Sequence, residues 1–360
     1  MDRRSLIKNA GIAGVLATGI APAVHAQAAV RWRLASSFPK SLDTLFGSAE
    51  LFAKTVTALS SGKFEVSVHG AGELMPAFGV VDGVQNGTVE MAQTAPYYFT
   101  GKDPIFALGC AVPFGLTARQ TDAWMAYGNG RKLMDEFYAN YNIKSRSAGN
   151  TGTQMGGWFR KEIKSVADLK GLKFRMGGGV FGETMKRMGV VPQSLPGGEI
   201  YQSLEKGTID AAEWVGPYDD EKLGLNKVAP YYYYPGWWEG GTELDFYINT
   251  KAWAALSAEN KAIVEAATDV AARDLMAKYD VYNPAALKRL VGAKTQLKSF
   301  SKELMDVGFK TAMEVFGELE AKSPEFKKIH QDMRAFQRDQ LLWERFSEFR
   351  YNSYMATVKL

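Results

Sequence analysis

The chain has 360 residues, 46% of them hydrophobic, with 43 Lys and Arg against 39 Asp and Glu, a formal net charge of +4. That balance, with no Lys/Arg cluster of the kind that tracks phosphate backbones, excludes nucleic acid as a partner. The single cysteine, Cys110, excludes a disulfide framework.

The first residues read as an export signal over 1–26. Asp2-Arg3-Arg4-Ser5-Leu6-Ile7-Lys8 leads into an apolar, small-residue run from Ala10 to Val24 and a small-residue site ending at Ala26. The run is too short and glycine-rich for a membrane anchor, and the paired arginines indicate the twin-arginine route, with Sec export left open by Asp2, where Ser or Thr is usual. Removing this segment takes away Arg3, Arg4, Lys8 and Asp2 and leaves +2.

Beyond the signal, alternating patterns predict α/β layers. Val30–Leu34, Phe64–His69 and Val89–Gln93 read as strands, and Thr44–Leu59 and Val80–Asn86 as helices. Cys110, inside the apolar run 105–112, is expected to be a buried small hydrophobe. The segment Gly83-Val-Gln-Asn-Gly-Thr-Val-Glu-Met-Ala92 is echoed 120 residues on by Ser203-Leu-Glu-Lys-Gly-Thr-Ile-Asp-Ala-Ala212. Each copy predicts a short helix capped by a left-handed glycine, Gly87 or Gly207, followed by a buried strand, so two lobes built alike are expected.

Leu172–Met176 alternates apolar and basic as a strand does, and the glycines 177–179 end it. Arg175 at that strand end offers an anion two parallel N–H donors in a rigid fork, or else closes a salt bridge. Gly177, Gly179 and Gly182 also spell a dinucleotide fingerprint after a strand and before the helical stretch 183–188. An exported nicotinamide-dependent oxidoreductase is therefore the enzymatic alternative. The next strand, near 190–195, carries no acid at its end to hold a ribose hydroxyl. Other enzymatic signatures are missing: no H-E-x-x-H, no paired cysteines and no G-x-S-x-G occur, and beyond the signal only His69 and His330 remain.

A second constellation comprises Asn150-Thr-Gly-Thr-Gln154, Arg175, Glu213-Trp214 and the run 236–241 containing Glu239. Glu213 follows a small-residue strand expected to be buried, and Glu239 sits in an aromatic, glycine-rich turn. A buried carboxylate demands a cation or a donor. Together these residues describe a polar ligand cavity, or several separate internal salt bridges. The aromatics of 231–238 are read as packing, and Trp214 as facing ligand. Ser323-Pro324-Glu325 opens a helix predicted to run to Met355, about 45 Å long and longer than one lobe covers.

Three segments in order, DLKGLKFR at 168–175, EKGTIDAAEWVGPYDDEKLG at 205–224 and APYYYYPGWWEGG at 229–241, resemble the substrate-binding proteins of tripartite ATP-independent periplasmic (TRAP) transporters, in particular the subgroup that binds 2-oxo acids. The resemblance implies a two-lobed α/β periplasmic binding protein fold with hinge strands and a long C-terminal helix. Residues 28–149 and 216–246 would make one lobe, 150–215 and 247–320 the other, and 323–355 a dimerisation helix. It implies a periplasmic receptor, not an enzyme, that hands a small 2-oxo monocarboxylate such as pyruvate to TRAP membrane subunits. By that resemblance Arg175 holds the carboxylate. Gln154, Glu213, the Trp214 main-chain carbonyl and Glu239 hold a bridging cation, Na⁺ or Ca²⁺, and Tyr98 and Asn150 touch substrate. The GGGVFG loop after Arg175 is longer than the family's usual one, which leaves substrate size open. A lactate or other hydroxy-acid receptor of the same fold, or a sensor for a membrane signalling protein, would use the same pocket.

Overall fold

The structure, a computed structural model, describes residues 29–359; the expected export signal lies outside the described residues. Among them, eleven strands form two sheets, each flanked by helices. The first has the order β2-β1-β3-β10-β4, from β1 (Val30–Ser36), β2 (Phe64–His69), β3 (Met91–Thr94), β4 (Ile143–Asn150) and β10 (Glu243–Asn249). In it β1, β2 and β3 are parallel, and β10 runs antiparallel between β3 and β4. The second has the order β11-β9-β5-β8-β6-β7, from β5 (Gly157–Phe159), β6 (Lys173–Arg175), β7 (Val191–Gln193), β8 (Ala211–Ala212), β9 (Tyr231–Tyr234) and β11 (Gln296–Ser299).

The internal repeat is visible in three dimensions. Gly87 and Gly207 both take left-handed backbone, φ +72° and +70°. The same pair of main-chain bonds closes each cap: Thr88 N and Val89 N donate to Gly83 O, as Thr208 N and Ile209 N do to Ser203 O. A side chain at either position would be strained, which explains why glycine stands in both copies. The strands that follow, β3 and β8, lie in the interior of their sheets and are wholly buried.

The chain crosses between sheets in two short segments, 150–157 and 234–243, and a third time through the long stretch 249–296. Residues 231–234, grouped by sequence with the first lobe, pair in the second sheet. Aromatic packing is the reason: Tyr232 stacks on Trp158 at 3.9 Å, and Tyr233 on Phe300 at 5.0 Å. Conversely, the end of β10 and the helix Ala258–Gly292, grouped by sequence with the second lobe, belong with the first sheet, the helix packing on β4 and on the helix Leu45–Leu59.

The C-terminal helix begins as expected, with Ser323 Oγ accepting from Phe326 N at 3.1 Å and Pro324 in the first turn. It does not run unbroken to 355. One helix covers Pro324–Glu344, a break follows at 345–347, and a second covers Glu348–Met355. Phe326, Ile329 and Met333 are buried against the first lobe, each contributing about 1.5–3 kcal/mol. Trp343, Phe346, Phe349, Tyr351 and Tyr354 are exposed.

Candidate functional site

The carboxyl ends of parallel strands from both sheets converge on one cleft, where open α/β folds bind ligands. Beyond β1 comes Phe38; beyond β3 come Ala95, Tyr97 and Tyr98; at the ends of β6 and β8 stand Arg175, Glu213 and Trp214. The two short crossing segments add Gln154 and Thr151 on one side, Glu239 and Thr242 on the other. The cleft is lined by Tyr97, Tyr98, Gln154, Trp214 and Thr242, with an apolar wall of Phe38, Leu45 and Leu244.

Arg175 is 1% exposed. Its Nη1 donates to Glu213 Oε1 and to the Glu213 carbonyl, each at 2.8 Å, and its Nε donates to Leu195 O at 2.9 Å. The guanidinium lies 4.9 Å from the Trp214 ring centre, within cation–π range. Burial works to lower its pKa, but the charge of Glu213 together with the hydroxyls of Tyr98 and Tyr97 outweighs this and raises it. The salt bridge and the cavity, alternatives in the sequence, are thus both present.

Three oxygens at this point are buried with no hydrogen-bond partner: Gln154 Oε1, Glu213 Oε2 and Glu239 Oε2. Gln154 is turned so that Nε2 donates to Thr151 Oγ1 at 3.1 Å and Thr242 Oγ1 at 2.8 Å, which leaves its carbonyl oxygen free. Burial raises the Glu213 carboxyl against the pull of Arg175. Burial, then the neighbouring charge of Glu213, push Glu239 well above the carboxylate range, opposed by the hydroxyl of Tyr97. Unpartnered buried acceptors cost about 1–3 kcal/mol each, and more when charged. Two acids and an amide oxygen left bare together fit a hard cation that takes oxygen ligands. Among the described residues no group of three or more His, Cys, Asp or Glu could hold a metal, so such a cation depends on the amide and main-chain oxygens as well.

Asn150 stands apart from this group. Its Nδ2 donates to Glu243 Oε2 at 3.0 Å and its Oδ1 accepts from Gly152 N at 3.0 Å, so neither amide atom is free. It faces a different, larger groove that Glu243 and Arg273 also line. Tyr97 is the cleft residue that sequence reading passed over in favour of its neighbour. The short helical turn Pro96–Phe99 brings both rings to the cleft, 5.1 Å apart. The signal was the aromatic pair directly after a buried strand.

The glycine loop does not serve a dinucleotide. A Cβ on Gly177 would lie 2.5 Å from the Tyr97 ring, and Gly179 N, at the helix start, donates to Thr100 Oγ1 at 3.1 Å. Gly177–Gly179 are thus packed against Tyr97 and Thr100 of the opposite lobe, and the groove that Gly179 and Gly182 line beside them carries the carboxylate of Glu183.

The profile of the bacterial extracellular solute-binding proteins, family 7, matches residues 35–319. The monocarboxylate 2-oxoacid-binding periplasmic protein of Nostoc sp. is 48% identical over 328 residues, 91% of this chain and 90% of that protein. A TRAP transporter solute-binding protein from Bordetella bronchiseptica superimposes with a TM-score of 0.90 at 46% identity, covering 91% of this chain and 98% of that one; it is a mixed-occupancy dimer, with calcium and picolinate in one active site and the other apo. A TRAP periplasmic solute-binding protein from Pseudoalteromonas atlantica, with bound sodium and pyruvate, superimposes with a TM-score of 0.87 at 37% identity, covering 92% of this chain and 99% of that one.

Proposed function

The chain belongs to bacterial extracellular solute-binding protein family 7, and from that premise we propose that it captures a small 2-oxo monocarboxylate of the pyruvate class, together with a cation, for TRAP membrane subunits. It is a binding protein and not an enzyme; the nicotinamide alternative is dropped with the glycine loop.

The observation that carries this reading is the set of three bare oxygens, on Gln154, Glu213 and Glu239, beside a buried arginine. Arg175 and Glu213 cancel each other, so an incoming carboxylate, and Glu239 once it gives up its proton, would leave the cleft with excess negative charge, which a cation offsets. The two carboxylates, Gln154 Oε1 and the Trp214 carbonyl would hold the ion, which would in turn chelate the carboxylate and keto oxygens of the ligand. Arg175 would orient the carboxylate, Tyr97 and Tyr98 would cover it, and Phe38, Leu45 and Leu244 would face its carbon tail. Among the described residues no Lys, Arg or His lines the cleft, and Arg175, packed against Trp214, would be the one guanidinium a ligand meets, which favours monocarboxylates over dicarboxylates.

Contacts made from both lobes bias the hinge toward the closed form, because the ligand is grasped fully only there. Work in the periplasm is supported by the relatives' location, and dimerisation by the exposed aromatics of 343–354 and the dimeric Bordetella relative. The test is titration of pyruvate into metal-depleted protein with and without added Ca²⁺ or Na⁺. Binding that requires the cation supports the reading, and equal affinity in its absence contradicts it.

A further inference from the structure

The C-terminal helix Pro324–Glu344, expected from the sequence to assemble the protein without shaping the pocket, spends two of its polar side chains on main-chain carbonyls near the cleft. Gln337, 8% exposed, donates through Nε2 to Gly115 O at 2.6 Å and Phe114 O at 3.0 Å. Arg334 Nη1 donates to the same Phe114 oxygen at 2.8 Å and to Gln337 Oε1 at 2.7 Å. Arg334 is itself held from behind: its Nε donates to His330 Nε2 at 3.2 Å, and His330 Nδ1 lies 2.7 Å from Glu320 Oε1.

Phe114 lies in no strand and sits at φ +52°, a conformation unfavourable for a bulky side chain that persists where surroundings enforce it. On its other side it grips the turn that carries Glu239. Phe114 N donates to Trp237 O at 2.8 Å, and the Phe114 and Trp237 rings stack at 5.0 Å. Two residues on, the Leu116 carbonyl is so near that a Cβ on Gly240 would lie 3.0 Å from it. Glu239 is thus fixed between residues 114–116 on one face and Gln154 N, which donates to the Glu239 carbonyl at 3.2 Å, on the other.

We propose that Arg334 and Gln337 are positioning residues for the cation site, acting on Glu239 through Phe114 and Trp237. The inference rests on the reading of Glu239 as a cation ligand. Neither residue touches the cleft, so their effect reaches the ion only through the turn, and a displaced turn leaves Glu239 Oε2 misplaced.

The experiment is a Ca²⁺ titration at saturating pyruvate on full-length wild type, Gln337→Met, Arg334→Met, Arg334→Lys and Glu239→Gln, joined to amide hydrogen exchange of the 236–241 segment. Gln337→Met and Arg334→Met are expected to weaken Ca²⁺ about tenfold and to accelerate exchange at 236–241 while β6 and β8 keep their protection. Arg334→Lys, which retains one donor, recovers most of the affinity. Unchanged affinity in both methionine variants, or exchange accelerated equally across the whole molecule, overturns the proposal. Glu239→Gln with undiminished Ca²⁺ affinity overturns the site reading beneath it instead.

Discussion

Arg175 and Glu213 are joined twice over: one guanidinium nitrogen donates at 2.8 Å both to the side-chain Oε1 and to the main-chain carbonyl of the same glutamate. Both residues are almost wholly shielded from solvent. The pair spans the ends of β6 and β8, which are parallel neighbours with Arg175 opposite Ala212. The bond therefore orients the arginine while leaving Glu213 Oε2 bare. A buried pair of this kind contributes little net stability, but removing one member is costly because the other is left uncompensated.

Arg175→Lys is expected to keep the fold and charge but lose the fork that serves Glu213 and ligand together. Pyruvate should then produce little or no thermal stabilisation in the presence of Ca²⁺. Arg175→Ala should in addition lower the melting temperature of the ligand-free protein, by about 3–5 kcal/mol of stability. A differential scanning fluorimetry series on the three proteins checks both; wild-type stabilisation of the lysine variant would refute the assigned role.

Gly177→Ala should weaken ligand binding without altering the fold. Its new methyl would stand 2.5 Å from the Tyr97 ring of the opposite lobe, so the lobes must stay slightly apart. Calorimetric titration of pyruvate and Ca²⁺ should show reduced affinity, while the ligand-free circular dichroism spectrum and melting temperature stay close to wild type. Full affinity would mean that the glycine loop is not pressed on Tyr97 in the bound form.

Asp219 and Asp220 form an adjacent buried pair. Asp219 accepts from Thr44 Oγ1 at 2.5 Å and Tyr279 OH at 2.7 Å, and Asp220 from Trp158 Nε1 at 2.9 Å and Tyr232 OH at 2.7 Å. Burial, opposed by these bonds, pushes their carboxyls up to about 7 and about 6. An acid raised in the folded state favours folding fully only below its unfolded pKa of about 4, and that contribution is lost as pH climbs through the folded value. Stability should therefore fall between about pH 4 and 7, with a slope of up to about 1.4 kcal/mol per pH unit per group. Asp219→Asn should flatten the fall, as urea midpoints across that range would show; parallel profiles for the two proteins would contradict it.

Removing residues after Glu344 should separate assembly from binding. It deletes Phe346, Phe349, Tyr351 and Tyr354, all exposed, and spares Arg334 and Gln337. The shortened chain is expected to be monomeric by sedimentation and to bind pyruvate and Ca²⁺ as the full chain does. A dimer that persists would move the interface elsewhere.

Much of this was legible because it depends on local chemistry. The glycine caps at 87 and 207 need only the left-handed backbone that glycine favours, and so the repeat betrayed two similar sheets. Arg175, Glu213 and Glu239 stood out as charges in apolar or glycine-rich surroundings. Lobe boundaries were less legible, since Tyr231–Tyr234 could pair in either sheet and the choice is made by Trp158 and Phe300, distant in sequence. Asn150 was grouped with the ligand contacts by sequence, whereas its amide donates to Glu243, 93 residues away, a pairing no local pattern marks. The break at 345–347 carries no proline or glycine and left no mark in the apolar pattern.

The central claim is that the bare oxygens of Gln154, Glu213 and Glu239 receive a cation together with the ligand. The most direct measurement is calorimetric titration of pyruvate into metal-depleted wild type and Glu239→Gln, each with and without Ca²⁺. The predicted result is tight binding for wild type only when Ca²⁺ is present and loss of most of that gain in Glu239→Gln. Tight, cation-independent binding in both proteins would contradict it.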